Sequence, residues 1–153
     1  MRLLLDINVV LDVVLAREPW WRDAASVLGA IETGQAAGCV AGHTVTTIHY
    51  LVARAAGRPA ADMAVADLLR LVDVVPVEQV DFLEALGRGA RDFEDAVQAV
   101  CAMKSGADFI VTRNQSDFGG QPIPAILPGA LLSRLAPVMD KTASAPAPGR
   151  SES

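Results

Sequence analysis

The sequence predicts a single α/β domain on a mostly parallel sheet, and three observations carry that reading. Short aliphatic runs of strand length (residues 3–5, 38–42, 72–77 and 108–112) alternate with stretches whose apolar residues recur at helical spacing. Of the 153 residues, 52% are hydrophobic and only 5% aromatic, so the core is aliphatic. A chain of this length fits one domain, burying roughly 68–70% of its unfolded surface without a disulfide or metal staple.

Leu3-Leu4-Leu5 is a buried-strand run that stops at a carboxylate, Asp6. Asn8 is placed to cap the helix that follows, with Val9, Val10, Val13 and Val14 inside. Glu18-Pro19-Trp20 opens a second helix on Trp21, Ala24, Ala25, Leu28 and Ile31, ended by Thr33-Gly34. Residues 38–42 form the next strand. Thr44 starts a helix with Ile48, Leu51 and Val52 inside, closing near Gly57. Pro59 begins another, whose stripe is Val65, Leu68, Leu69 and Val72. Residues 72–77 read as a strand and 79–86 as a short helix. Asp92 caps a helix running to about Ser105, with Asp95 at its third position as a capping-box partner. Residues 108–112 are the strongest strand, 122–127 an edge strand and 128–135 a last helical turn. The domain therefore covers residues 1–135. Residues 136–153, rich in Pro, Ala and Ser, predict a disordered tail.

Composition narrows the class of function. With 13 basic against 18 acidic residues the formal charge is −5, so non-specific phosphate attraction is weak. A metal-dependent enzyme acting on nucleic acid stays open, because a bound cation reverses the local field. Asp6 cuts the N-terminal apolar run below the length of a secretory leader, and no apolar stretch approaches a membrane span. Cys39 and Cys101 lie in apolar surroundings and read as buried thiols of a reducing compartment, which predicts a cytoplasmic protein.

Ligands of open parallel sheets collect beyond the carboxyl ends of the strands. Asp6 follows the first strand there, and Asp117 lies five residues beyond Thr112, the end of the best one. Asp92, Glu94 and Asp95 open the helix just before that strand. Three acidic points converging on one edge need a compensating cation, and oxygen ligands suit Mg²⁺ or Mn²⁺. Each residue also has an architectural role open to it. Asp6 fits a strand-end turn, Asp92 and Asp95 a helix cap, Asp117 a loop turn. His43 reads as a loop or capping residue. Trp20 and Trp21 read as core or interface anchors.

Four segments in order resemble the motifs of PIN domains, and within them the VapC-type ribonuclease toxins of bacterial toxin–antitoxin pairs. They are Leu3-Leu4-Leu5-Asp6-Ile7-Asn8, Thr44-Val45-Thr46-Thr47-Ile48-His49-Tyr50, Phe93-Glu94-Asp95-Ala96, and Ile110-Val111-Thr112-Arg113-Asn114-Gln115-Ser116-Asp117-Phe118. The resemblance implies a five-stranded parallel sheet between helical layers. It also implies Mg²⁺- or Mn²⁺-dependent RNA cleavage leaving 5′-phosphate and 3′-hydroxyl ends, a homodimer, and inhibition by an antitoxin protein. Asp6 matches the first metal ligand and Asp95 the acid of the third motif, with Glu94 beside it. The second motif's usual Glu is His49 here, and the fourth motif's usual Asp is Asn114. Asp117 is the nearby carboxylate able to restore that charge.

The expected site is thus catalytic Asp6, Glu94, Asp95 and Asp117, with Asp6, Asp95 and Asp117 on the metal. Arg113, His49 and Asn114 are the expected substrate contacts. Two rivals compete with a nuclease. A PIN domain weakened at His49 and Asn114 would bind RNA or a protein without cutting. The run from Leu4 to Val10 also resembles the first motif of haloacid-dehalogenase-type phosphatases, but that chemistry needs a downstream Lys, and after Thr112 only Lys141 remains. The segments 20–31 and 44–50 are the expected groove for an antitoxin helix.

Overall fold

The computed structural model describes residues 1–135, so the predicted tail lies outside the described residues. Five parallel strands form the sheet: β1 (Arg2–Leu5), β2 (Ala37–Ala41), β3 (Asp73–Val75), β4 (Phe109–Val111) and β5 (Ala125–Ile126). Their order is β3-β2-β1-β4-β5, which puts the strand before Asp6 at the centre. Leu4 pairs with Cys39 on one side and Ile110 on the other.

Seven helices cover both faces: α1 (Ile7–Val14), α2 (Trp21–Glu32), α3 (Gly42–Ala56), α4 (Arg58–Leu71), α5 (Gln79–Gly87), α6 (Phe93–Lys104) and α7 (Pro128–Leu135). Side chains alternate across a strand. Leu3, Leu5, Val40 and Val111 therefore enter one core with α1 to α4 and α7, while Leu4, Cys39, Ala41 and Ile110 enter a second with α5 and α6. The expected three-layer α/β/α architecture results. Cys39 and Cys101 are buried and unpaired with each other. Among the described residues no helix is long and apolar enough to cross a membrane.

Local expectations shift in four places. The cap position of α1 is Asp6 rather than Asn8, because the chain turns directly from the strand end into the helix. Leu69 is 49% exposed while Leu68 is buried, so the α4 stripe is narrower than the sequence predicts. The strand at 72–77 shrinks to three residues and stops before Pro76, which has no N–H to give the ladder. In α6, Asp92 accepts a hydrogen bond from the Glu94 N–H at 2.8 Å, whereas the reciprocal carboxylate capping box belongs to α5, formed by Glu78 and Asp81.

Candidate active site

Asp6 ends β1, and its N–H still donates to the Val111 carbonyl at 3.0 Å, which fixes it at the centre of the sheet edge. Its carboxylate does not cap α1. Instead Oδ2 accepts from the Thr112 hydroxyl at 2.8 Å and Oδ1 from the Gln98 amide at 3.0 Å. Asp6 is 3% exposed, and both these donors are neutral. The Thr112 Oγ1 atom also accepts from the Asn114 N–H at 3.0 Å, so a single hydroxyl sets both Asp6 and the loop after β4.

The start of α6 faces the same edge. Asp95 and Gln98 are three residues apart and share a helix face, so Gln98 meets Asp6 while the half-buried Asp95 opens onto the adjoining cleft. Burial and the charges of Asp92, Asp6, Asp117 and Glu94 push the Asp95 carboxyl up to about 7. Burial, with Asp6 and Asp92, also raises Glu94. Asp95 thus lies within electrostatic reach of Asp6, Glu94 and Asp117, and Glu94 within reach of Asp6. Asp95 and Asp117 line a cleft of about 570 Å³ together with Arg88 and Arg91, of which Arg88 is paired with Glu84 at 2.7 Å. Asp117 sits on an exposed 3-10 turn, Gln115–Phe118. Among the described residues no three Asp, Glu, His or Cys side chains form a ready-made metal cage, and the expected trio of Asp6, Asp95 and Asp117 is not pre-closed. Like charges without a counterion stay apart.

The expected substrate contacts divide. His49 does not reach this edge: Nε2 lies 2.7 Å from Asp62 Oδ1 of α4. Six residues of helix separate it from His43, a rotation of about 240°. That rotation puts His43, at the first turn of α3, beside Glu94, with 3.9 Å between Nε2 and Oε1. Both ring nitrogens are buried without a hydrogen-bond partner among the described residues, and burial lowers the imidazole pKa. Asn114 is exposed, and its N–H rather than its amide makes the local bond. Arg113 turns toward α1: its Nε lies 3.5 Å from Asp12 Oδ2 and its guanidinium stacks 3.8 Å from the centre of the Trp20 ring.

Sequence reasoning missed Gln98, His43, Asp12 and the two arginines of the cleft. Gln98 had a signal, being the only polar residue in the run Ala96-Val97-Gln98-Ala99-Val100-Cys101-Ala102-Met103.

A model of the PIN domain matches residues 2–116. The chain belongs to the PIN domain family. Solved structures similar to this PIN domain share its fold at low identity. The Mycobacterium tuberculosis toxin VapC20, described as cleaving the sarcin–ricin loop, is 19% identical, with a TM-score of 0.60 over 71% of this chain and 86% of that one. A toxin–antitoxin complex from Klebsiella pneumoniae gives 20% identity and a TM-score of 0.60 over 82% and 96%. The VapBC2 complex of Rickettsia felis, bound to promoter DNA, gives 12% and 0.61 over the same shares. No curated protein sequence matches.

Proposed function

We propose that this PIN domain is a Mg²⁺- or Mn²⁺-dependent endoribonuclease and the toxin of a toxin–antitoxin pair. The carrying observation is the buried carboxylate of Asp6, held by neutral donors only and within electrostatic reach of Glu94 and Asp95, the latter also neighboured by Asp117. That excess of negative charge on oxygen donors fits a hard divalent cation. Such ions are commonly held by one or two carboxylates, with water and substrate phosphate completing the shell. Asp6 and Asp95 would hold the ion, with Asp117 joining from its turn. When bound, the ion supplies charge neutralisation at a phosphoryl oxygen and a water of lowered pKa.

The chain's own residues do the positioning. Thr112 and Gln98 lock both Asp6 oxygens, so this ligand needs no rearrangement on binding. Glu94, half-buried beside His43, is placed to orient a water and accept its proton at Oε. Arg91, which lines the cleft, offers a guanidinium to the RNA backbone. Asp6→Asn is expected to abolish the appearance of new 5′-phosphate RNA ends and the accompanying growth arrest when the protein is expressed alone. Cleavage surviving both Asp6→Asn and Asp95→Asn would remove the site assignment.

One observation favours the binding-only alternative: the unclosed carboxylate cluster. It predicts Mn²⁺-independent RNA or protein binding and no new RNA ends in the same experiment.

The antitoxin belongs to the same proposal. The expected groove between segments 20–31 and 44–50 does not form, since α3 packs on α4 and α1 while α2 packs on α1 and α7. An apolar groove of about 300 Å³ instead lies among α1, α2 and α4, lined by Val10, Val13, Val14, Leu28 and Leu71 with Asp67 at its edge. An amphipathic antitoxin helix with a basic residue near Asp67 fits it. Co-purification with the product of the adjacent gene, lost in Val14→Asp, is the expected result.

A further inference from the structure

We propose that the cleft between α1, α2 and the start of α7 is a base-binding subsite that takes guanine from a single-stranded RNA. The identity of the strand rests on the nuclease reading, whereas the affinity for a base does not. The cleft holds about 350 Å³ and is lined by Asp12, Trp20, Asp23, Arg113, Leu127 and Pro128. It adjoins the carboxylate site through one residue, because Arg113 follows Thr112, whose hydroxyl holds Asp6. A base seated here therefore belongs to a nucleotide close to the phosphate at Asp6.

Three features build the subsite. Trp20 is 44% exposed, an unusual state for so large an apolar ring, and it carries the Arg113 guanidinium 3.8 Å from its centre. The guanidinium covers one face of the ring, and the exposed part of Trp20 is the aromatic surface on which a base would stack. Asp12, 1% exposed, holds Arg113 in place: its Oδ2 faces Arg113 Nε at 3.5 Å, while Oδ1 makes no hydrogen bond among the described residues and lies 3.8 Å from the Arg17 guanidinium. Asp23 supplies an acceptor at the wall. Its Oδ2 lies only 2.9 Å from where a Cβ on Gly129 would sit, so that glycine leaves the room the carboxylate occupies.

Ionised carboxylates only accept hydrogen bonds. Guanine presents two parallel donors, N1–H and the 2-amino group, to one carboxylate. Adenine presents a donor beside an acceptor, which would face the carboxylate unpaired.

The test is a fluorescence titration of the full chain carrying Trp21→Phe, which leaves Trp20 as the only tryptophan. GMP is expected to quench Trp20 saturably at about a tenfold lower concentration than AMP, the size of one bidentate pair. Asp23→Asn should remove that difference. Gly129→Ala, which displaces the Asp23 carboxylate without removing its charge, should do the same in a protein of unchanged circular dichroism. A flat titration, or equal quenching by GMP and AMP, overturns the subsite even if the wild type cuts RNA. So does quenching by the antitoxin alone. Saturable, guanine-selective quenching in a protein that cuts no RNA upholds the subsite and removes the nuclease reading instead.

Discussion

At neutral pH the Asp95 carboxyl is about half protonated, since burial and the charges of Asp92, Asp6, Asp117 and Glu94 lift it to about 7. Between the ordinary carboxylate value near 3.8 and that raised one, the folded chain binds more protons than the unfolded chain. The stability associated with Asp95 is therefore fully present below about pH 4, declines as pH rises through 7, and is level above it. Asp95→Asn should flatten that decline in ion-free protein. Its Tm should match wild type at pH 4 and exceed it at pH 8 by about 3–6 °C, allowing for solvent screening. Thermal melts across pH check this, and parallel curves for the two proteins would remove the crowding argument. Mn²⁺ at pH 8 should raise the wild-type Tm, and Asp95→Asn should blunt that rise. At this scale, Asp6 and Asp95 were legible in the sequence because each stands at a strand end or a helix start. His43 and His49 were not, since only the helix phase set by the β2–α3 turn decides which imidazole meets Glu94. The Arg113–Asp12 contact joins residues about 100 apart, and no local pattern announces it.

Among the elements, β2 shows how closely the layers approach. A Cβ on Gly38 would lie 2.7 Å from Ile31 Cδ1 and 3.0 Å from Val72 Cγ1, between the end of α2 and the end of α4. Ile31 can yield at its far end, but Val72 is stiff at χ1. Gly38→Ala is expected to cost about 1–2 kcal/mol in urea unfolding, with Asp6 and its cleavage chemistry unaffected. No loss of stability would mean that α2 and β2 are less tightly apposed. The five strands and seven helices were largely legible, because strand runs of three to five aliphatic residues and helical periods are both local signals. Their ends were less so. The β3 strand depends on which of its residues find partners on β2, and the α5 cap depends on a carboxylate pair, Glu78 and Asp81, in place of the usual hydroxyl. The Glu78 N–H, at 2.8 Å, holds the Asp81 carboxyl below its ordinary value, and Lys104 of α6, 2.9 Å from Asp81 Oδ2, adds to that effect and to the cap.

Across the whole molecule, apolar surface is distributed unevenly. On α5, Val80, Leu83 and Leu86 recur every third residue and are 63%, 60% and 65% exposed. Phe82 and Phe93 extend the patch, their ring centres 6.2 Å apart. A net charge of −5 keeps copies of the chain apart elsewhere, so association needs a surface like this one, where few charges interrupt the apolar stripe. If the chain forms the homodimer that the family resemblance implies, this face is the expected contact. Because Phe93 immediately precedes Glu94, the contact would also brace the first turn of α6, on which Glu94 and Asp95 ride. Light scattering on the eluted protein should give twice the 16.0 kDa chain mass for wild type and the single mass for Leu83→Asp. The variant should keep its Tm measured at low concentration, since Leu83 contributes little to the monomer core. A dimer that persists in Leu83→Asp would place the contact on another face, and a wild type that stays monomeric at every concentration would leave the α5 stripe to a different partner.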